Sequence, residues 1–337
     1  MPSLMTIPRE LRDQICMYVL FNETNKRPEL NESFEGLVAS RTVYDNPRLH
    51  AWCCLALGLL EAPISNTSGL LLANWQLHAE TIENISLFTK AATYYLDVIV
   101  LDEILLLPTW THVPFLTTHL KQVNTTFRIS GSYDKKKERA RKQEDNNGLS
   151  QCPYKQFGRY KGFRIGNGAG PAITWQIYSV LERFIRVGPT GNRVGRDEHR
   201  HITIETLEIN VETPPNIDKS RFGPPRSGGY RAVGHEERDV LDPEYLAEFI
   251  LVNLKSLLAV GESRISNEWL SYGRILFEHV DHVVVKLDGQ VMENLDIAEQ
   301  LRMICGSEES QESQEWLKGY QEKTWSKRKQ RGLKVLD

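Results

Sequence analysis

From Ile7 onward the apolar residues Leu11, Ile15 and Val19 recur every four positions, with Tyr18 beside them, and mark one face of a helix. Pro8 is tolerated in a first helical turn and Glu10 suits the positive end of the dipole, so the spacing predicts a helix from about Pro8 to Leu20. Residues 22–33 are polar and turn-rich. A short apolar helix is expected over Trp52 to Leu60, ended by Pro63. Another is expected beyond Ser68, its cap, where Leu70, Ala73, Leu77, Ile85 and Phe88 keep helical spacing. The chain up to residue 92 therefore reads as mostly helical.

After Ala92 the texture changes. Tyr94 to Val100 is dense in aromatic and β-branched residues and too short for an amphipathic helix, and 123–129, 202–211 and 280–287 resemble it. Between these strands lie helix candidates at Pro114 to Leu120, Ile173 to Val187 and Pro243 to Val260, the last opened by Asp242 as cap. Strands separated by helices predict parallel pairing, because a parallel return needs a long connection. The four strands should lie side by side with the later two helices packed on them. The fold class expected is therefore α/β, a helical head followed by an irregular, mostly parallel helix-strand layer. Domain boundaries follow at 1–92, with an insertion at about 22–67, and at 93–306, with mobile inserts at about 133–149, 189–198 and 213–240. Residues 307–337 form a charged C-terminal helix or tail, acidic first and basic last, in which Trp316 and Tyr320 could dock on the body.

Composition narrows the class further. In 337 residues, 41 basic side chains face 44 acidic ones, for a formal charge of −3, and 40% of residues are hydrophobic. Such a chain builds a core and carries no global field toward nucleic acid or acidic lipid. Its five cysteines form no CxxC pair or zinc spacing, which fits a reducing compartment. No secretory leader or membrane span is legible, so the cytoplasm or nucleus is expected and the sequons at Asn22, Asn31, Asn66, Asn84 and Asn124 are read as accidental.

The pattern Ile7-Pro8-x-Glu10-Leu11-x-x-x-Ile15-x-x-Tyr18-Val19 resembles the opening helix of the F-box, and Leu70 to Glu80 looks like a later helix of divergent F-box-like proteins of filamentous fungi. In that later helix a leucine run leads into Arg-Gln-Ile-x-x-Glu, and Trp75 stands here in place of the arginine. The resemblance covers 4–90 by motif and the rest by organisation, the body being loosely leucine-rich-repeat-like. It implies a non-enzymatic interaction protein, a substrate receptor of a cullin-RING ubiquitin ligase. Ile7, Pro8, Leu11, Ile15 and Val19 would then bind the ligase adaptor, and the body would hold an unknown substrate protein. Two other readings stay open. One is an F-box-derived scaffold that binds no adaptor, its stripe packed as core against Leu70 and Leu77. The other is a nucleic-acid-associated factor acting through the basic insert 135–164.

Candidate chemistry is sparse. The turn Gly166 to Pro171 precedes a helix but has neither dinucleotide nor P-loop spacing. His199 with His201, and His279 with His282, lack a third ligand at recognisable spacing. Asp102 and Glu103, adjacent at a strand end, would point to opposite faces. No catalytic residue, cofactor, metal or membrane contact is expected, and the lysine cluster 135–142 reads as a solvated insert more readily than as a nucleic-acid arm.

Overall fold

The computed structural model describes residues 4–22, 26–30, 37, 41–43, 57–59, 65–88, 92–132, 162–163, 171–189, 201–226, 240–258, 268–304 and 311–336. Its centre is a six-stranded sheet formed by β3 (Thr93–Leu101), β4 (Leu105–His112), β5 (His119–Ser130), β6 (Thr203–Glu212), β9 (Val280–Leu287) and β10 (Gln290–Asp296), in the order β10-β9-β6-β5-β3-β4. The four segments expected as strands, now β3, β5, β6 and β9, lie side by side and parallel. Each parallel strand is added next to the one before it, and antiparallel β4 and β10 close the two edges. Two small sheets accompany it, β1 (Arg41–Val43) with β2 (Leu57–Leu59) and β7 (Phe222–Gly223) with β8 (Val240–Leu241).

Eight α-helices are present among the described residues: α1 (Arg9–Phe21), α2 (Thr67–Ala73), α3 (Trp75–Phe88), α4 (Ala172–Val187), α5 (Pro243–Leu258), α6 (Glu268–His279), α7 (Ile297–Met303) and α8 (Gln311–Gln330). α4 packs against β4, α5 against β6 and β9, and α6 and α7 against β9. Along β5, β6 and β9 alternate side chains are buried, as a sheet with one covered face requires. Val123, Phe127, Leu207, Ile209, Val283 and Val285 belong to the core beneath these helices.

Several expectations are corrected. Residues 113–118 are a loop and Leu120 lies in β5, so no helix forms at 114–120. Tertiary bonds replace it: Tyr94 Oη donates to Phe115 O at 2.5 Å and accepts from Thr117 N at 3.2 Å. Residues 57–59 of the expected helix 52–60 form β2, and the rest of that segment lies outside the described residues. The long helix after Ser68 is two helices. Asn74 adopts extended backbone between them, and its Oδ1 accepts from Gln76 N at 3.0 Å and Leu77 N at 2.9 Å to cap α3. Strand β4 is not among the four strands that the sequence predicts. Asp102 and Glu103, at φ 48° and 61°, instead turn the chain into a hairpin, and Pro108 is accommodated because β4 is an edge strand.

Of the two aromatics expected to dock the C-terminal helix, Tyr320 packs on the body, edge-on to Phe277, and Trp316 remains exposed. Leu317, Thr324 and Arg328 are buried, whereas Trp316 is exposed and stacks on half-buried Tyr320. Arg328 is the anchor: Nη1 donates to Phe277 O and Val280 O at 2.6 and 2.9 Å, Nε to Lys334 O at 2.8 Å, and Nη2 to Asp281. The basic insert 133–149, residues 190–198 and the glycine-rich turn 166–170 lie outside the described residues.

Candidate protein-interaction surfaces

α1 and α3 run in the same direction, with Met5 beside Asn74, Arg12 beside Glu80 and Phe21 against Phe88. The seam between them is polar at its middle. Arg12 reaches Glu80 through Nε at 2.9 Å and Nη2 at 2.6 Å, and its Nη1 donates to Ile7 O at 2.6 Å. Both side chains are buried, and the guanidinium hydrogen bonds hold the Glu80 carboxyl down at about 2. Asn84 Nδ2 adds a bond to Asp13 Oδ1 at 3.0 Å. The chain leaves this unit after Asn22 and returns at Asn66, whose Nδ2 donates to Val19 O, Leu20 O and Asn22 O. The insertion therefore begins and ends at one point, and α1 keeps its place against α3.

This seam decides which face of α1 is outward. Its buried residues are Arg12, Cys16 and Leu20. The apolar stripe lies on the other flank: Leu11 is 47% exposed, Ile15 38% and Tyr18 71%, Pro8 is exposed, and Ile7 and Val19 are half-buried. Exposed apolar side chains continue on the neighbouring helices at Leu72, 86%, and Trp75, 82%. Scattered surface leucines need no explanation, but a helix that buries Arg12 and leaves Leu11, Ile15 and Tyr18 exposed carries an apolar face outward.

The second surface is the uncovered side of the sheet. Parallel sheets are usually buried on both faces, yet here one face is polar and half-exposed. Registered rows cross it, one of them Thr93, Gln122, Thr206, His282 and Asp296, and the next Tyr95, Asn124, Glu208, Val284 and Asn294. Gln122 Nε2 donates to Asn124 Oδ1 at 2.6 Å and to Glu208 Oε2 at 3.2 Å, while Lys286 Nζ pairs with Glu208 at 2.7 Å. At one end residues 26–30 lie across the face. Arg128, paired twice with Asp97 at 2.6 Å, donates to Pro28 O at 2.9 Å, and Ser130 Oγ donates to Leu30 O at 3.3 Å. Side chains of this face thus already hold the carbonyls of one peptide segment.

The other candidate groups do not assemble into a site. Asp102 and Glu103 are buried in the β3–β4 turn, where Asp102 N donates to Ser130 O at 2.8 Å. His279 has both ring nitrogens engaged, Nδ1 with Ile202 O at 2.9 Å and Nε2 with Arg331 Nη1 at 3.0 Å. His282 sits apart on the polar face, and His199 lies outside the described residues. Among the described residues no group of three or more His, Cys, Asp or Glu side chains could hold a metal ion, and no helix is long and apolar enough to cross a membrane. The nucleic-acid reading rests on 135–164, of which only 162–163 are described. No protein-family model matches this chain, and no curated protein or solved structure matches it.

Proposed function

We propose that this chain is a non-enzymatic interaction protein of F-box-like design, a substrate receptor of a cullin-RING ubiquitin ligase. The observation that carries the reading is the outward stripe Leu11, Ile15 and Tyr18, set on a helix fixed from behind by Arg12 and Glu80. That stripe docks the ligase adaptor, with Pro8 and the accessible parts of Ile7 and Val19 at its margin. Two motif positions of the later helix have structural work that fits the resemblance, since Leu77 is buried and Glu80 holds Arg12. The polar sheet face receives the substrate protein, in a layout loosely similar to leucine-rich repeats, with helices on one side of a parallel sheet and a hydrogen-bonding surface on the other.

Interface energy concentrates in a few central apolar side chains, where truncation commonly costs about 2 kcal/mol or more. Leu11→Asp places an unpaired charge at that centre, so full-length protein should lose adaptor binding by at least about thirtyfold. Because Leu11 is half out of the fold already, the variant should keep the wild-type melting temperature. Calorimetric titration with the purified adaptor and a thermal melt measure the two quantities together. Wild-type protein that does not bind the adaptor, or a Leu11→Asp chain that unfolds, would remove the ligase reading and leave a scaffold.

A further inference from the structure

One segment of the chain itself is seated on the polar face, where β5 and β6 end. Arg27 reaches Glu212 through Nη1, at 3.3 and 3.4 Å from the two carboxylate oxygens, while Lys26 pairs with Glu29 inside the segment at 2.6 Å. Beyond Arg27 the contacts pass to the main chain, with Pro28 O and Leu30 O accepting from Arg128 and Ser130. Carbonyls two residues apart thus meet side chains two residues apart on one face of β5, and Glu212 of β6 stands in register with Arg128. The three side chains make one strip across two neighbouring parallel strands. That strip keeps its shape without the segment, because two bonds to buried Asp97 fix Arg128 and strand pairing fixes the backbone.

The segment is held lightly. None of residues 26–30 is buried, and the Arg27–Glu212 pair is 49% and 38% exposed, so solvent and salt screen it. Its chemistry nevertheless fits the strip at three positions. Arg27 supplies a cation for Glu212, Pro28 favours extended backbone at low entropic cost and brings no N–H, and Leu30 is half-buried. The bonds to Pro28 and Leu30 use main-chain oxygens, which any extended chain supplies. On the reading of the polar face as the substrate surface, we propose that residues 26–30 are an internal competitor for the substrate protein. An extended substrate segment displaces them, carrying a basic residue, a proline next to it and an apolar side chain two residues further on. Arg128, Ser130 and Glu212 are its recognition groups.

The test adds a fluorescent synthetic peptide copying residues 22–33 to the full-length protein and follows its anisotropy. In wild type the peptide meets an occupied face, and its apparent affinity falls by the fraction of chains in which that face is open. Arg27→Glu, at an exposed position of the protein, repels Glu212 and frees the strip, so the peptide should bind at least about tenfold more tightly than to wild type. In Glu212→Lys the preference should invert, with a peptide bearing Arg27→Glu binding better than the exact copy. Neither change touches the Leu11 stripe, so adaptor titration decides the ligase reading separately. Equal binding to wild type and Arg27→Glu would overturn the internal competitor and leave the face a receptor surface. No binding to any of the chains, or a preference that does not invert, would overturn the assigned chemistry. Wild type that sediments as a dimer while Arg27→Glu sediments as a monomer would seat a second copy's segment on the face and overturn the substrate role.

Discussion

Acidification should weaken this fold by about 2 kcal/mol between pH 7.5 and pH 5 through His279 alone. The ring is buried at the end of α6, with Nδ1–H donating to Ile202 O and Nε2 accepting from Arg331, so its neutral form is bonded on both sides. Burial first and the Arg331 charge second push its pKa from 6.5 down to about 3. In the unfolded chain the imidazole takes up a proton below about 6.5, and in the folded chain it does not. The stabilisation is therefore complete above 6.5 and is lost as pH falls toward 3, at about 1.4 kcal/mol per unit. One and a half units give the figure above. Other groups face the ring as well: His201 stands edge-on with ring centres 5.1 Å apart, and Glu278, held below 4.5 against the opposing effect of its burial by Lys327 and Arg274, titrates under the window. Urea unfolding of wild type and His279→Gln at both pH values isolates the contribution, since glutamine keeps a donor and an acceptor but cannot titrate. The variant should be less stable at pH 7.5 and should lose about 2 kcal/mol less than wild type on acidification. Parallel losses in the two proteins would refute the assignment of a neutral, doubly bonded imidazole.

Two further outcomes follow from close packing at the C-terminal side. Arg328→Met leaves the Asp281 carboxylate without its cation and three carbonyls without their donor, and should cost about 3–5 kcal/mol in urea unfolding, with part recovered in the double variant Arg328→Met/Asp281→Leu. Gly273→Ala would favour helix α6 by roughly 0.5–1 kcal/mol, but its Cβ would stand 2.2 Å from Leu257 O of α5. Moving a backbone carbonyl costs more, so a net loss of about 1–3 kcal/mol is expected, and a stabilised variant would show that the helices slide apart freely.

The parallel core was legible because its strands carry a local signal. Residues 94–100, 123–129, 202–211 and 280–287 are β-branched and aromatic, and the helices at 173–187 and 243–258 have caps and periodicity of their own. The edge strands were not legible, for opposite reasons. β4 contains Pro108 and merges with β3 into one apolar run, so that only the positive φ of two acidic residues separates them. β10, reading QVMENLD, has a single buried residue, Leu295, and owes its form to pairing with β9. α6 is similarly set by context, with Gly273 at its crossing of α5, a glycine that propensity alone counts against a helix.

The outward stripe of α1 shows where a hydrophobic pattern stops being informative. Its periodicity locates an apolar face but carries no sign, because a stripe facing a core and a stripe facing a partner have the same spacing. What sets the sign is a charge pair formed across the fold, between Arg12 and a glutamate at position 80. Arg12 stands at an unspecified position between Leu11 and Ile15 of the motif, yet a guanidinium that meets a carboxylate in two hydrogen bonds can take the buried face of a helix and turn the leucine flank outward. The polar sheet face was hidden from the sequence in the same way. Gln122, Asn124, Thr206 and Glu208 each alternate with core residues and so read as ordinary strand positions. They become a surface only when register aligns them across β5 and β6, which is a property of the assembled sheet and of no single strand.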